Sequence, residues 1–457
     1  MRPPVLFIPG FPASELRETS GKVVFPPSLQ TLADPKRKAR LIRKLLDPDA
    51  LVAGEPIRDV FFGIAKQAQS LYDVLRLYGY SISNPSEFIA VGWDWRKAID
   101  DPQVLDDIGR SLASLSQHGK VILIVHSTGG LLLRRFLELR PETSASIAHI
   151  LGFGVPWAGT LKAFRYLAKG EKFGFLAARM TPTETRTVMQ SAQAAYDLLP
   201  PPAMANAASD DIPPPMVFED GKAVSPTVSV SWIRAKDAPA VQPRAGHATR
   251  LVRLRELTLP GFATPPITNV AGFGADTDVR ATIEGPGKVR FEASDEGDST
   301  VPLVSAQWIR GAGVRTFNVP IGVYPTAGIP SYHSQLWDAP PLLEIFDQIL
   351  LGIAPSAFVA AAIDSDDASA GGANGLRIRI AAAAPNASPL PALKVTFNGL
   401  RQKVTRSLSN RVRATVELPK SILPPYAGSP FVRFVAVLQW GSGSTKETRE
   451  LPLIYRR

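Results

Sequence analysis

The segment from Val121 to Leu139 constrains the fold more than any other. Val121-Ile-Leu-Ile-Val125 is an unbroken apolar run rich in β-branched residues, the pattern of a strand buried on both faces of a parallel sheet. His126-Ser-Thr-Gly-Gly130 follows at once, and from Leu131 to Leu139 the apolar residues recur at helical spacing, ending before Pro141. A strand that passes through so short a turn into a helix must pack closely against it. A serine at that turn projects its hydroxyl beyond the sheet edge, with the helix N-terminus behind it. Small residues two positions either side of Ser127 would ease the approach. Gly129 meets that need and Gly130 helps, whereas Val125 stands where Gly or Ala is usual.

From Val5 to about Leu351 the chain alternates strand-like and helix-like runs. Ile150–Phe153 and Ile267–Ala271 read as strands, and Val104–Ser116 and Leu342–Leu351 as amphipathic helices. The expected architecture is an α/β-hydrolase fold, a mostly parallel sheet flanked by helices, spanning residues 1–363. Two stretches break the rhythm, at about 19–80 and 161–261, and are expected to form a cap over the site. Within the first, Asp34-Pro35 makes an N-cap and first-turn pair. Leu41, Ile42, Leu45 and Leu46 form one apolar face among six basic residues between Lys36 and Lys44. Residues 364–375 are small and polar and read as a linker. Beyond them Leu376-Ile378-Ile380, Leu393-Val395-Phe397, Val412-Ala414-Val416 and Val432-Phe434-Ala436 keep a two-residue period, so 376–457 is expected to be a small all-β sandwich.

A serine hydroxyl becomes a nucleophile only beside a base that is itself oriented by a carboxylate. The chain has five histidines. In the chain order Ser, acid, base, only His149, His247 and His333 follow Ser127. His149 immediately precedes an expected strand and reads as structural. His247 lies in the Pro-rich second insertion. His333 stands in a loop before the last helix of the domain and is the preferred base. The side chain of His126 is expected to point away from the Ser127 hydroxyl. For the acid, Gly297-Asp298-Ser-Thr-Val-Pro302 favours Asp298 by its tight turn, with Asp295 and Glu296 nearby; Asp298 capping a turn and nothing more is the plainer reading. The backbone N–H of Thr128 and of Phe11, the latter in the Pro9-Gly-Phe-Pro12 loop after the first strand, are the expected oxyanion donors.

Taken together, Pro9-Gly10 through Ser14-Glu-Leu16, Trp93-Asp-Trp-Arg96, His126-Ser-Thr-Gly-Gly130, Gly154-Val-Pro-Trp-Ala-Gly159, Gly272-Phe-Gly274, Gly297-Asp-Ser-Thr-Val-Pro302 and His333-Ser-Gln-Leu336 resemble the lecithin:cholesterol acyltransferase-like lipases and acyltransferases over about residues 1–350. The resemblance implies a Ser127–Asp298–His333 triad, Phe11 and Thr128 at the oxyanion, and Trp157 beside the substrate. It also implies lipid ester substrates, no metal or other cofactor, and hydrolysis or transfer of an acyl group. A non-lipid carboxylesterase and a catalytically silent hydrolase-fold protein that docks through its C-terminal part are the alternatives.

The remaining features bear on surroundings rather than chemistry. With no cysteine, disulfides and thiolate sites are excluded. The net charge is +10, and the part from Gly371 onward carries 14 Lys and Arg against 3 Asp and Glu, so the basicity belongs to the C-terminal module. No nucleic-acid motif accompanies it, no nucleic-acid partner is expected, and its protein partner is unknown. The basic helix near Lys36–Lys44 is either a solvated cap face or a peripheral contact with an anionic membrane. The N-terminal apolar run is too short for a signal-peptide core. The stretch Ile349–Ile363 falls short of the roughly 20 residues a spanning helix needs. A cytoplasmic location is expected.

Overall fold

The computed structural model describes residues 2–60, 65–66, 68–175, 178–200, 216–223, 257–285, 288–311, 313–321, 333–338, 345–346, 349–350 and eight C-terminal strands. Six strands form the central sheet: β1 (Val5–Ile8), β2 (Phe88–Ala90), β3 (Val121–His126), β4 (Ile147–Phe153), β5 (Ile267–Phe273) and β6 (Val314–Pro320). They lie in the order β6-β5-β4-β3-β1-β2, and every neighbouring pair is parallel. The chain moves from β1 outward to β2, then crosses back to place β3 on the other side of β1. Between β1 and β3 the winding direction reverses, and the loops leaving their carboxyl ends diverge to open a crevice. This is an α/β-hydrolase fold, and the Ser127 turn and the Gly10-Phe11 loop both lie at that crevice.

The alternation of side chains across each strand supplies a core on both faces. Leu6, Ile8, Leu123 and Val125 join one cluster with Val104, Ile108 and Leu112 of α2 (Pro102–Ser116) and with Leu131 and Leu132 of α3 (Thr128–Leu139). Val5, Phe7, Ile122 and Ile124 join the other, with Leu71, Leu75 and Phe346. The helices expected over Val104–Ser116 and Leu131–Leu139 begin earlier, at Pro102 and Thr128; Asp101 caps α2, its carboxylate accepting from the amides of Gln103 and Val104, whereas Ser127 precedes α3 without a side-chain cap bond. The strands expected at Ile150 and Ile267 extend to Ile147–Phe153 and Ile267–Phe273. The helix expected over 342–351 falls largely outside the described residues.

The first insertion is built on a three-stranded antiparallel sheet of Ser14–Arg17, Val23–Phe25 and Val52–Pro56. Its helix α1 (Pro35–Leu46) is capped by Asp34, which accepts from Lys36 and Arg37 at 2.8 and 3.1 Å, and it buries Leu41 and Leu45. Two limits differ from the sequence reading. The insertion's sheet begins at Ser14 rather than near 19. The helix Gln69–Leu77, assigned above to the insertion, packs on the central sheet, with Tyr72 edge-on to Phe7 and Phe88. In the second insertion the helices Leu161–Ala168, Pro182–Ser191 and Gln193–Asp197 are described, whereas 201–215 and 224–256, His247 among them, lie outside the described residues.

A short segment after β2 fastens both insertions to the body. Arg96 is buried and pairs with Asp94 at 2.7 Å. Its guanidinium also donates to the carbonyls of Lys44, Asp47, Pro48 and Leu51 at 2.5–3.3 Å, which are the acceptors left open at and beyond the α1 C-terminus. From the other side Gln193 N–H donates to the Arg96 carbonyl at 2.7 Å, and Asp197 accepts from Ile99 N–H at 3.0 Å. The insertions also meet each other, through Lys38 with Glu184 at 3.1 Å and Phe25 stacked on Phe173.

The eight C-terminal strands form two four-stranded antiparallel sheets. Strand Phe358–Ile363, placed by the sequence reading at the end of the hydrolase domain, pairs with Leu376–Ala383 and so belongs to the first of them. The linker expected at 364–375 lies outside the described residues. Among the described residues no helix is long and apolar enough to cross a membrane.

Asp94→Ala is expected to lower stability by about 3–5 kcal/mol, because it strips a buried guanidinium of its carboxylate. Urea unfolding of the two proteins measures it, and a change below 1 kcal/mol (about a fivefold change in the folding constant) would refute the fastening role.

Candidate active site

Ser127 leaves β3 with φ 51° and ψ −127°, a backbone conformation that side chains rarely adopt. Its N–H donates to the Phe153 carbonyl at 2.9 Å, and its own carbonyl accepts from Gly130 N–H at 3.0 Å. The surroundings leave no room for larger residues. A Cβ on Gly129 would lie 2.4 Å from the Ile8 carbonyl oxygen, one on Gly130 2.4 Å from a Val155 methyl, and one on Gly10 2.6 Å from Ser127 Cβ. Val125, where Gly or Ala is usual, is fully buried and pairs in register with Gly152 on the adjacent strand.

Asp298 and His333, 35 residues apart, are brought together. His333 Nδ1 donates to Asp298 Oδ2 at 2.7 Å, and the aspartate is fully buried. Its other oxygen, Oδ1, accepts from the amides of Thr300 and Val301 at 3.1 and 2.7 Å. Asp298 therefore caps its turn and orients the histidine at once, one oxygen for each task. The turn is held further by Ser299 (φ 74°), whose N–H donates to Thr277 Oγ1 at 2.8 Å. Asp295 and Glu296, the nearby carboxylates, are half-buried. On the far side of the ring, His333 Nε2 is buried and without a hydrogen-bond partner among the described residues.

Ser127, His126, His333 and Phe11 line one cavity of about 240 Å³. Its walls are mainly apolar. Phe25, Leu45 and Ile57 come from the first insertion, Met180, Val188 and Leu198 from the second, and Trp95 from the fastening segment. Polar groups are few: Thr160, Lys162, Thr185, Thr300 and Ser334. Trp95 Nε1 and Thr185 Oγ1 are buried without partners among the described residues. Phe11 and Thr128, the expected oxyanion donors, lie just after β1 and β3, either side of the crevice. The first follows Gly10, which touches Ser127; the second opens α3, where an amide has no acceptor within the helix. Trp157 does not join them. It is buried outside the cavity lining, and its Nε1 donates to Asn269 Oδ1 at 3.0 Å, tying the 154–159 loop to β5. A buried indole N–H needs an acceptor, and Asn269 supplies it.

Residues 63–232 match the lecithin:cholesterol acyltransferase family. Phosphatidylcholine-sterol acyltransferase of Mus musculus is 37% identical over 93 residues, covering 19% of this chain and 20% of that protein. Lecithin-cholesterol acyltransferase-like 1 of Arabidopsis thaliana is 28% identical over 275 residues, 57% of each. Over these residues the chain is similar to the lecithin:cholesterol acyltransferase family. It spans between a fifth and just over half of the length of these relatives. Among solved structures, the Tle4–Tli4 complex aligns with a TM-score of 0.46 and 15% identity, over 76% of this chain and 99% of that one. Phospholipase PlaB from Legionella pneumophila aligns with a TM-score of 0.26 and 11% identity, over 99% and 94%. The lecithin:cholesterol acyltransferase match includes Ser127 and stops before Asp298 and His333, so the pairing of the latter two is read from the fold itself.

Two of the remaining histidines are placed by their surroundings. His149 bonds Thr268 Oγ1 at 2.8 Å; burial, and then the charge of Arg315, push it down to about 4, so it is neutral and structural. The His126 ring lies 4.6 Å from that of His333, with Nε2 donating to the His333 carbonyl at 2.9 Å. Sequence reasoning missed this because the contact joins residues 207 positions apart.

Gly154 (φ 54°) lies directly beneath the pair: a Cβ there would fall 2.8 Å from Asp298 Oδ2 and 2.9 Å from His333 Cε1. Gly154→Ala is expected to separate Asp298 from His333. Proton NMR of the downfield His333 Nδ1–H resonance checks this, since the resonance should vanish in the variant, and its persistence unchanged would show that the pair tolerates the methyl group.

Proposed function

We propose that the protein is a serine hydrolase or acyltransferase acting on lipid carboxylic esters through an acyl-enzyme on Ser127. The observation that carries this reading is the Asp298–His333 hydrogen bond at 2.7 Å, with the opposite ring nitrogen unpartnered among the described residues and His333 lining the same cavity as Ser127. Asp298 holds His333 in the tautomer that carries its proton on Nδ1, which leaves Nε2 as the base. Nε2 takes the Ser127 proton as Oγ attacks the ester carbonyl. The amides of Phe11 and Thr128 stabilise the oxyanion. The tetrahedral intermediate collapses, and His333 returns the proton to the departing alcohol or lysolipid. Water or an acceptor alcohol then gives its proton to His333 and attacks the acyl-enzyme, which releases free acid or a transferred ester.

The cavity supports a lipid acyl chain. Most of its wall is aromatic or aliphatic, so burying an alkyl chain there is favourable at about 0.8 kcal/mol per methylene. A short acyl group would leave that surface unused. The family match, and relatives whose names describe acyl transfer from phosphatidylcholine or lecithin, are consistent with this class.

A fluorophosphonate probe is expected to label the wild type and leave Ser127→Ala unlabelled; equal labelling of both would remove Ser127 from the mechanism, and no labelling of either would favour a silent binding protein. Asp298→Ala is expected to lower turnover of a p-nitrophenyl ester by about 10³–10⁴-fold while the protein stays folded, since the imidazole loses its tautomeric anchor. Unchanged turnover would pass the acid role to Asp295 or Glu296. Across a series of p-nitrophenyl esters, preference for acetyl over long acyl chains would point to a non-lipid carboxylesterase.

A further inference from the structure

We propose that His126 is a positioning residue for His333, acting through a hydrogen bond to the His333 main chain and through a ring packed on its imidazole. The inference rests on the reading of His333 as the base. His126 occupies the last position of β3, next to Ser127, and its ring is buried with only 4% of its surface exposed. One side of the ring lies against His333, centroids 4.6 Å apart at a tilt of 39°, and Trp337 packs against it at 4.8 Å. Its Nε2 is 2.9 Å from the His333 carbonyl oxygen.

That oxygen can only accept, so Nε2 carries the proton. Burial, and then the charge of His333, hold His126 well below the usual imidazole range, which keeps the ring neutral. A neutral imidazole protonated at Nε2 meets every requirement of the contact, and no other titration state is needed. Asp298 faces His333 Nδ1, and each of the two rings faces the other. Lys162 lines the same cavity and is paired with Glu171 at 2.9 Å.

His333 is therefore held at three points. Asp298 fixes Nδ1, the His126 N–H fixes the main chain, and the His126 ring limits rotation of the imidazole. The carboxylate alone leaves the ring free to swing about its own bond to Nδ1. The two contacts from His126 remove that freedom, and they are anchored to the same strand that delivers Ser127. The nucleophile and the base thus share one rigid reference, adjacent residues 126 and 127, although their own side chains come from distant parts of the chain. When His333 is protonated during acylation, the ring packed against it is uncharged, so no like-charge repulsion opposes the step.

Three substitutions separate the contributions. His126→Phe keeps a ring and removes the N–H. His126→Gln returns an N–H near the position of Nε2 without the ring. His126→Asn carries the same amide on a chain too short to reach the carbonyl, and it replaces the Phe variant should that one not fold. With a p-nitrophenyl ester, His126→Phe and His126→Asn are expected to lower kcat by about 10–100-fold with KM within about twofold, as a small misplacement of a catalytic group does. His126→Gln should recover most of the loss. The downfield His333 Nδ1–H resonance should broaden or disappear in Phe and Asn and return in Gln. Wild-type kcat in all three, or a Gln variant as slow as Asn, overturns the inference, the latter result reducing His126 to packing. If Ser127→Ala were still labelled by the fluorophosphonate, the proposed function would fail instead. The resonance would still report the His333 pose, and its persistence in Phe and Asn would overturn the positioning role on its own.

Discussion

The site depends on how closely β1, β3 and α3 approach one another around Ser127. A non-glycine residue at φ 51° costs about 1–3 kcal/mol, and it persists only where its neighbours over-determine it. Here they do. Ile8 closes on Gly129, Val155 on Gly130 and Gly10 on Ser127 itself, each at a distance that excludes a single methyl group. The strain points the hydroxyl into the crevice between β1 and β3. Because the sheet order places these strands side by side, the same packing brings the Phe11 loop next to the α3 N-terminus. The two expected oxyanion donors are thus neighbours because of topology, although more than a hundred residues separate them.

The cavity above this turn is a product of both insertions, and neither could form it alone. One wall comes from the first insertion and another from the second, while residues 93–99 reach into both. Arg96 is central to this because a guanidinium presents several donors in a fixed plane, and it answers four carbonyls together with one carboxylate. A lysine could not span that set. Next to Arg96 stands Trp95, whose ring lies edge-on to Phe11 and Phe25, so the segment that fastens the cap also lines the space under it.

Local signals in the sequence were readable where one segment carries its own explanation. The apolar run Val121–Val125, the Asp34-Pro35 cap and the two-residue period of the C-terminal strands each correspond to an element in nearly the same place. His333 and Asp298 could be paired because few histidines compete and the Gly297–Pro302 turn is distinctive. Features decided by distant packing were not legible. Trp157 stands in a conspicuous motif, yet its partner is Asn269 on another strand. Phe358–Ile363 carries an apolar pattern that suits either domain, and only its pairing with Leu376–Ala383 assigns it.

Asp298 shows why two readings of one residue need not compete. A carboxylate has four lone-pair positions, and a turn cap occupies those on one oxygen only. With Oδ1 committed to Thr300 and Val301, the carboxyl plane is fixed, and Oδ2 must then point along one direction. His333 lies in that direction. The turn is thus the means by which the carboxylate is aimed: a free aspartate on a loop would have to give up rotamer entropy each time it met the imidazole, whereas this one gave it up on folding. The same logic applies to Ser127, aimed by its backbone strain. Both groups are oriented by bonds that lie outside the chemistry they are proposed to perform.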